Sequence, residues 1–340
     1  MKKVVKYLII IFLGLILIAL GGIAGLYLKL KSPAFNINEN KIVFVENRND
    51  YPGILSQLQS IGNLKDKVFF NFVAEQLKYP KYIKTGRYEI TPKMSYLDAV
   101  QMLRRGSQTP VKLTFNNIRL KKDLAERIAQ QLNFEADTLL YYLNDEASVS
   151  ALGFDTTTIV AMFIPNTYEI YWTISAPQFL EKMKKEYERF WTPERMKKAE
   201  KIRLNQIQIS ALASIVEEET NLKKEYPIIA GLYLNRLKKG MLLQACPTAK
   251  YAVGDFTLKR ILYEHLRTDS PYNTYKYAGL PPGPIRIPST PVIDGVLNAA
   301  QHDYLYMCAK EDFSGSHYFS VTLSEHNRYA QLYQTALNQR

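Results

Sequence analysis

From Tyr7 to Leu28 no residue carries a charge, and this run constrains the folding of the 340-residue chain more than any other feature. Wound as a helix at about 1.5 Å per residue, 22 residues reach about 33 Å, close to the ~30 Å hydrocarbon core of a bilayer. Lys2, Lys3 and Lys6 precede the run with no acidic residue among them, and only Lys29 and Lys31 follow it closely. The positive-inside rule then places residues 1–6 in the cytoplasm, residues 7–28 across the membrane and everything after Lys31 outside. A cleavable export signal has a shorter apolar stretch, about 7–15 residues, and a small-residue cleavage site. This run is longer and lacks a clean A-x-A site, so a retained single-pass anchor is expected. On either reading the bulk of the chain is exported.

The net charge of +12 invites a polyanion as partner, but five of those charges flank the apolar run, leaving +7 for the rest. No later stretch reads as a Lys/Arg tract that grips phosphates, so nucleic acid is not an expected partner, whereas an anionic wall polymer is compatible. With 47% hydrophobic residues and no low-complexity tract, the chain can bury cores for two or three domains. Cys246 and Cys308 could pair in an oxidising compartment, but two cysteines do not build a disulfide fold. The four histidines show no metal-ligand spacing, so neither a metal nor another cofactor is expected.

Beyond the anchor the pattern alternates between short strands and amphipathic helices, an α+β texture. Lys41–Asn47 alternates like a strand, PGILSQLQSIGNL and VFFNFVAEQL read as helices, and Thr85–Ile90 reads as a turn into a second strand. Ser95–Gly106 is a helix with a capping serine and a terminating glycine. Residues 29–110 thus resemble a small LysM-like carbohydrate-binding module. A strand at Val111–Phe115 and the helix LKKDLAERIAQQL open a connecting α+β subdomain, 111–152. Aromatic-rich and Pro-rich segments then mark a larger domain, 153–340.

The segment Gln206–Asn221, QIQISALASIVEEETN, reads as a buried helix, because Leu212, Ile215 and Val216 recur at i, i+3 and i+4. Seven residues on from Leu212, at 100° per residue, Glu219 falls about 20° away, at the centre of the apolar stripe. Glu217 and Glu218 rotate toward polar sides. A carboxyl on an apolar stripe loses hydration, holds its proton to higher pH and suits general-acid work. The helix is also ending here, and a last-turn glutamate can simply reach water. Periodicity leaves both readings open.

The residues around Glu219 carry a resemblance. ALASIVEEET, then GLYLNRLKKGMLLQACPTAKYA (Gly231–Ala252), YNTYKYAGLPPGPIRIPS (Tyr272–Ser289) and GSHYFSVTLSEHN (Gly315–Asn327) follow the order and approximate spacing of the YceG-like endolytic murein transglycosylases. The resemblance covers about residues 155–335, and the front half in layout only. It implies that Glu219, the second glutamate of the E-x-E-T segment, is catalytic. It also implies glycan strands of peptidoglycan as substrate and peptidoglycan synthases at the membrane as partners. The family commonly has Asp where this chain has Cys246, which leaves the role of that position open.

Each motif also has a reading of its own. Asn235 and Arg236, on an amphipathic helix, could face a cleft. Gln244 and Thr248 flank a Pro-containing turn and could hydrogen-bond sugar hydroxyls or N-acetyl groups. Tyr272, Asn273 and Tyr275, beside the stiff Pro281-Pro282 pair, offer stacking faces and hydrogen bonds for a saccharide groove. His317, Thr322, Glu325, His326 and Asn327 cluster after the short strand SHYFSVT.

An ordinary glycosidase needs two carboxylates. A lytic transglycosylase, as the resemblance implies, needs one, acting as acid and then as base while the muramyl C6 hydroxyl closes a 1,6-anhydro ring. No second acid sits on an apolar stripe. Asp255 and Asp269, in polar loops, are the candidates for a lysozyme-type hydrolase. Two further readings stay open: a wall-binding scaffold with a structural Glu219, and a thiol hydrolase built on Cys246.

Overall fold

The computed structural model describes residues 2–258 and 260–339, and the chain divides into two compact units. One comprises residues 1–112 with 169–174, the other residues 113–168 with 175–340. Of the expected connecting subdomain, 111–152, residues 113–152 fall in the second unit.

The first unit opens with α1 (Lys2–Lys31), in which the apolar side chains from Val4 to Leu28 are exposed. Among the described residues it is the one helix long and apolar enough to cross a membrane, with a mean hydropathy of 2.8 over its core. Its last turn joins the unit: Lys29 Nζ reaches Asp66 at 2.7 Å, and Leu30 packs on the core. Strand β1 (Lys41–Val45) and helices α2 (Tyr51–Ser60) and α3 (Lys67–Gln76) follow, then β2 (Gly86–Ile90) and α4 (Tyr96–Arg105).

β1 and β2 pair antiparallel with Val43 opposite Tyr88. Alternate residues Val43, Val45, Tyr88 and Ile90 turn inward against Leu58, Phe70, Tyr79 and Leu103. Ser95 caps α4 by accepting the Asp98 N–H, and Gly106 ends it in a left-handed conformation (φ 75°) that residues other than glycine adopt at a cost.

In β3 (Val111–Thr114) and β4 (Thr167–Ile170) the chain passes from one unit to the other. The second unit is mostly helical: α5 (Lys121–Ala129), α6 (Ala136–Asn144), α7 (Glu146–Ala151), α8 (Ala176–Phe190), α9 (Pro193–Lys201), α10 (Gln206–Glu219), α11 (Tyr226–Lys238), α12 (Cys246–Val253) and α13 (Thr290–Leu297). It closes with the antiparallel pair β5 (Tyr306–Ala309) and β6 (His317–Ser320) and helix α14 (Leu323–Asn338). The molecule is thus mixed, mostly helical with small sheets.

Helix α10 is the axis of the second unit. Every side chain from Ile209 to Val216 is buried, and the helix packs on both α11 and α13. Its start is fixed by a reciprocal cap, in which Asn205 Oδ1 accepts the Gln208 N–H and Gln208 Oε1 accepts the Asn205 N–H, each at 2.9 Å. Ser214 gives its hydroxyl hydrogen to Ala211 O at 2.7 Å and accepts the Ile285 N–H at 3.0 Å, tying the Pro-rich loop to the helix.

Cys246 and Cys308, whose pairing the sequence leaves open, are unpaired thiols. Residues 322–327, expected as a cluster following a strand, form the cap and first turns of α14: Thr322 accepts the Glu325 N–H, and the Glu325 carboxylate accepts the Thr322 N–H in return. The pattern T-L-S-E is the capping-box spacing, which accounts for the helix start.

Candidate active site

The three glutamates at the end of α10 separate by partner. Glu218 lies between Arg119 (2.5 Å) and Arg286 (2.6 Å), and Glu217 accepts the Ser289 N–H at 3.1 Å with Arg286 Nε at 3.4 Å. Both are largely buried in ion pairs, rather than solvated as their rotation away from the stripe suggests. Each of these cations lies tens of residues away in sequence, so no local pattern signals the pairing.

Glu219 differs. It borders a cavity of about 330 Å³, together with Tyr233 and Arg236 of α11, Gln244, Cys246, Tyr275, Tyr306, Met307 and His326. Thr220 follows in extended conformation (φ −148°, ψ 145°), so the helix stops immediately after Glu219. Tyr233 donates its hydroxyl to Glu219 Oε1 at 2.7 Å. Among the described residues no donor reaches Oε2, which is left for a ligand. Burial pushes the Glu219 carboxyl above the usual range, while the Tyr233 bond and the field of His317 pull the other way. Burial of Tyr233 beside that carboxyl raises its hydroxyl well above 10, so it stays a donor. The result is a carboxyl at the cavity wall with one oxygen fixed by Tyr233 and its proton affinity raised by burial.

Arg236 is only 8% exposed and spends its Nε on Leu305 O (2.6 Å) and one terminal nitrogen on Leu242 O (3.2 Å) and Leu243 O (2.8 Å). These bonds hold the strand side of the cavity against α11 and leave a positive charge at the wall. His326 stacks on Tyr306 at 5.5 Å, and its buried Nδ1 has no hydrogen-bond partner among the described residues. Burial, with Arg236 nearby, holds its ring below the usual histidine range. The Cys246 thiol meets the Tyr275 hydroxyl at 3.1 Å. Burial pushes the thiol up, so it remains protonated.

The structure therefore brings Glu219, Arg236, Gln244, Tyr275 and His326 to one cavity. The other expected site residues do not line it. Thr248 and Asn273 are fully buried: Thr248 Oγ1 meets Thr274 Oγ1 at 2.7 Å, and Asn273 Nδ2 donates to Leu266 O and Thr268 O at 2.9 and 2.8 Å. Asn235 donates to His302 O and Tyr304 O at 2.6 and 3.2 Å. Tyr272 packs on Tyr251 at 4.7 Å. Thr322 caps α14, and Asn327 is exposed on it.

His317 is held by Glu225, which accepts the His317 N–H at 2.9 Å and meets its Nδ1 at 2.8 Å. Glu225 also accepts from Thr220 at 3.0 Å, so one carboxylate joins the end of α10 to β6. Burial works to raise this carboxyl, but its bonds to His317 and Thr220 hold it below the usual range.

Sequence reading missed Tyr233 and Glu225. Tyr233 precedes Arg236 by three positions, one helical face, and that spacing was available. Nothing local distinguishes Glu225.

Asp255 and Asp269 lie outside the cavity lining. Asp255 accepts from Thr257 N and Oγ1 at 2.9 and 2.6 Å, and Asp269 pairs with Lys276 at 2.7 Å and with the Tyr277 hydroxyl. These bonds hold both below the usual carboxylate range. Among the described residues no group of three His, Cys, Asp or Glu side chains could hold a metal.

The chain resembles proteins from several bacteria. It is 43% identical over 129 residues to the endolytic murein transglycosylase of Bacillus subtilis (strain 168), covering 38% of this chain and 35% of that one. It is 27% identical over 359 aligned positions to the endolytic murein transglycosylase of Streptococcus pneumoniae serotype 2 (strain D39), covering 95% of this chain and 64% of that one. It thus spans less than two thirds of these relatives' length. A crystal structure of a yceG-like protein from Listeria monocytogenes superposes with a TM-score of 0.57 at 28% identity, over 86% of this chain and 99% of that one. The YceG-like family matches residues 43–332, and the chain belongs to that family.

Proposed function

We propose that this chain is a lytic transglycosylase that cuts the MurNAc–GlcNAc β-1,4 bonds of peptidoglycan, with Glu219 as its acid and base. The observation that carries the reading is a single carboxyl, held by Tyr233, at a cavity whose described lining contains no other carboxylate. Glu219 Oε2 donates its proton to the glycosidic oxygen as the bond from that oxygen to the muramyl C1 breaks. The C6 hydroxyl oxygen then bonds to C1, and its proton returns to the Glu219 carboxylate. One bond is lost and one formed, no water is consumed, and the product is a 1,6-anhydro end. Tyr233 holds the carboxyl in place through both steps, and its hydrogen bond strengthens when Glu219 is ionised.

The relatives named endolytic murein transglycosylases support glycan strands as substrate and cutting within a strand. Placement of the second unit outside the cytoplasmic membrane, tethered by α1, follows from the lysines that precede the apolar run. On that placement the enzyme meets strands as membrane-bound synthases release them and ends their elongation. The first unit, with two strands and three helices, is the candidate LysM-like module.

The lysozyme-type alternative needs a second carboxylate facing the first across the sugar, and Asp255 and Asp269 are engaged elsewhere. Digestion of purified peptidoglycan followed by mass spectrometry tests the proposal. The wild-type chain is expected to leave ends one water lighter than hydrolysed ends, and Glu219→Gln to leave none. Equal yields from both, or hydrolysed ends from the wild type, would falsify it.

A further inference from the structure

Gln244 sits in the loop between α11 and α12 with φ 50°, a left-handed conformation unfavourable for a side chain of its kind. Glycine would adopt it freely, yet the chain places a glutamine there. Its backbone is locked from beneath. The Gln244 N–H donates to Thr274 O at 3.1 Å, the Ala245 N–H to Thr274 Oγ1 at 3.1 Å, and the Thr274 N–H to Thr248 Oγ1 at 3.3 Å. Thr248 and Thr274 are both buried, so this lattice is rigid. It joins the LLQACPT segment to the YNTY segment and sets Gln244, Cys246 and Tyr275 along one wall beside Glu219. The Gln244 side chain, in contrast, is exposed and makes no hydrogen bond among the described residues. A strained backbone, a built support and an unspent amide at the cavity form one arrangement.

We infer that Gln244 is a substrate-binding residue whose Nε2–H donates to the acetamido carbonyl of an amino sugar seated beside Glu219. This rests on the reading of the cavity as a glycan site. The Nε2–H donor needs an acceptor, which an acetamido carbonyl supplies and an ammonium, with three donors and no acceptor, does not. The strain on Gln244 is then maintained because the αL backbone turns the amide into the cavity.

The test separates folding from recognition. Full-length Gln244→Gly is expected to unfold at or above the wild-type midpoint, because glycine relaxes the backbone. In a Glu219→Gln background, where nothing is cleaved, co-sedimentation with insoluble N-acetylated peptidoglycan should weaken about 3- to 10-fold on adding Gln244→Gly, the range for one hydrogen bond. With chemically de-N-acetylated peptidoglycan the two proteins should bind alike. Gln244→Asn, which tolerates the αL backbone and keeps a shorter amide, should fold like wild type, bind between the two and serve if the glycine variant unfolds. Retention of N-acetylated strands by a folded Gln244→Gly protein at the parent level overturns the inference, as does a variant that still distinguishes acetylated from de-acetylated strands. Because retention is read without turnover, an absence of anhydro ends from the wild type counts against the proposed reaction and not against Gln244.

Discussion

At the scale of single residues, two glutamates six positions apart, Glu219 half-buried and Glu225 buried, have opposite electrostatics, and the difference is testable by pH. Glu219 holds its proton above the usual range, so the folded state binds that proton more tightly than the unfolded chain does. Stability therefore falls as pH rises through the unfolded glutamate range toward the folded value. Glu219→Gln is expected to be more stable than wild type near neutral pH and no different well below pH 4, as read by thermal unfolding at stepped pH. Activity of the wild type should fall on the alkaline side as Glu219 loses the proton it donates. Glu225 behaves in reverse. Its folded value is depressed, so its contribution is present above the unfolded value and lost as pH falls through the folded one. Glu225→Ala leaves the donors of Thr220 and His317 without an acceptor and should cost on the order of 3 kcal/mol at neutral pH, shrinking in acid. A denaturation series showing a pH-independent loss would contradict this account.

At the scale of elements, the site depends on how closely α11 approaches the segment before β5. Gly231 marks the closest point. A Cβ there would lie 2.3 Å from Ala300 O and 2.8 Å from His302 Nε2. The first neighbour is backbone and cannot rotate away, so the helix would have to shift. Gly231→Ala gains up to about 1 kcal/mol of helix propensity but forces overpacking of about 1–3 kcal/mol. The net expectation is a lower denaturant midpoint and a loss of activity, since the Arg236 bonds to Leu305, Leu242 and Leu243 move with α11. The helices themselves were legible. Ser95 and Gly106 bracket α4 as expected, and α10 starts at Gln206 as expected and stops two residues early. The start of α14 was missed because two short strands and a run of polar residues hide its stripe; no residue of that helix is buried.

At the scale of the whole molecule, the proposed function assigns anchoring to α1 and bond cutting to the second unit, and both assignments are testable. An impermeant maleimide should label Cys246, slowly because its thiol stays protonated but accessibly because the residue is exposed, in intact spheroplasts. Labelling only after lysis would reverse the proposed orientation. Deleting residues 1–28 should release the chain from the membrane fraction while sparing Lys29 and Leu30, which belong to the first unit's packing.

The sequence by itself determined the long apolar helix α1, the order of short strands and helices through the first unit, and the position of Glu219 on the stripe of α10. Those features depend on periods of 2 and 3.6 residues and on caps a few positions apart, which a linear reading contains. Only the tertiary structure decided which polar residues serve the cavity. Arg119 and Arg286 neutralise Glu218, Tyr233 orients Glu219, and Glu225 joins α10 to β6 through His317. Thr248 and Asn273, expected to face substrate, turned out to brace the wall that Gln244 and Tyr275 present. A side chain that braces and one that binds carry the same hydrogen-bonding groups, and only the packing around each decides whether those groups face a backbone partner or the cavity.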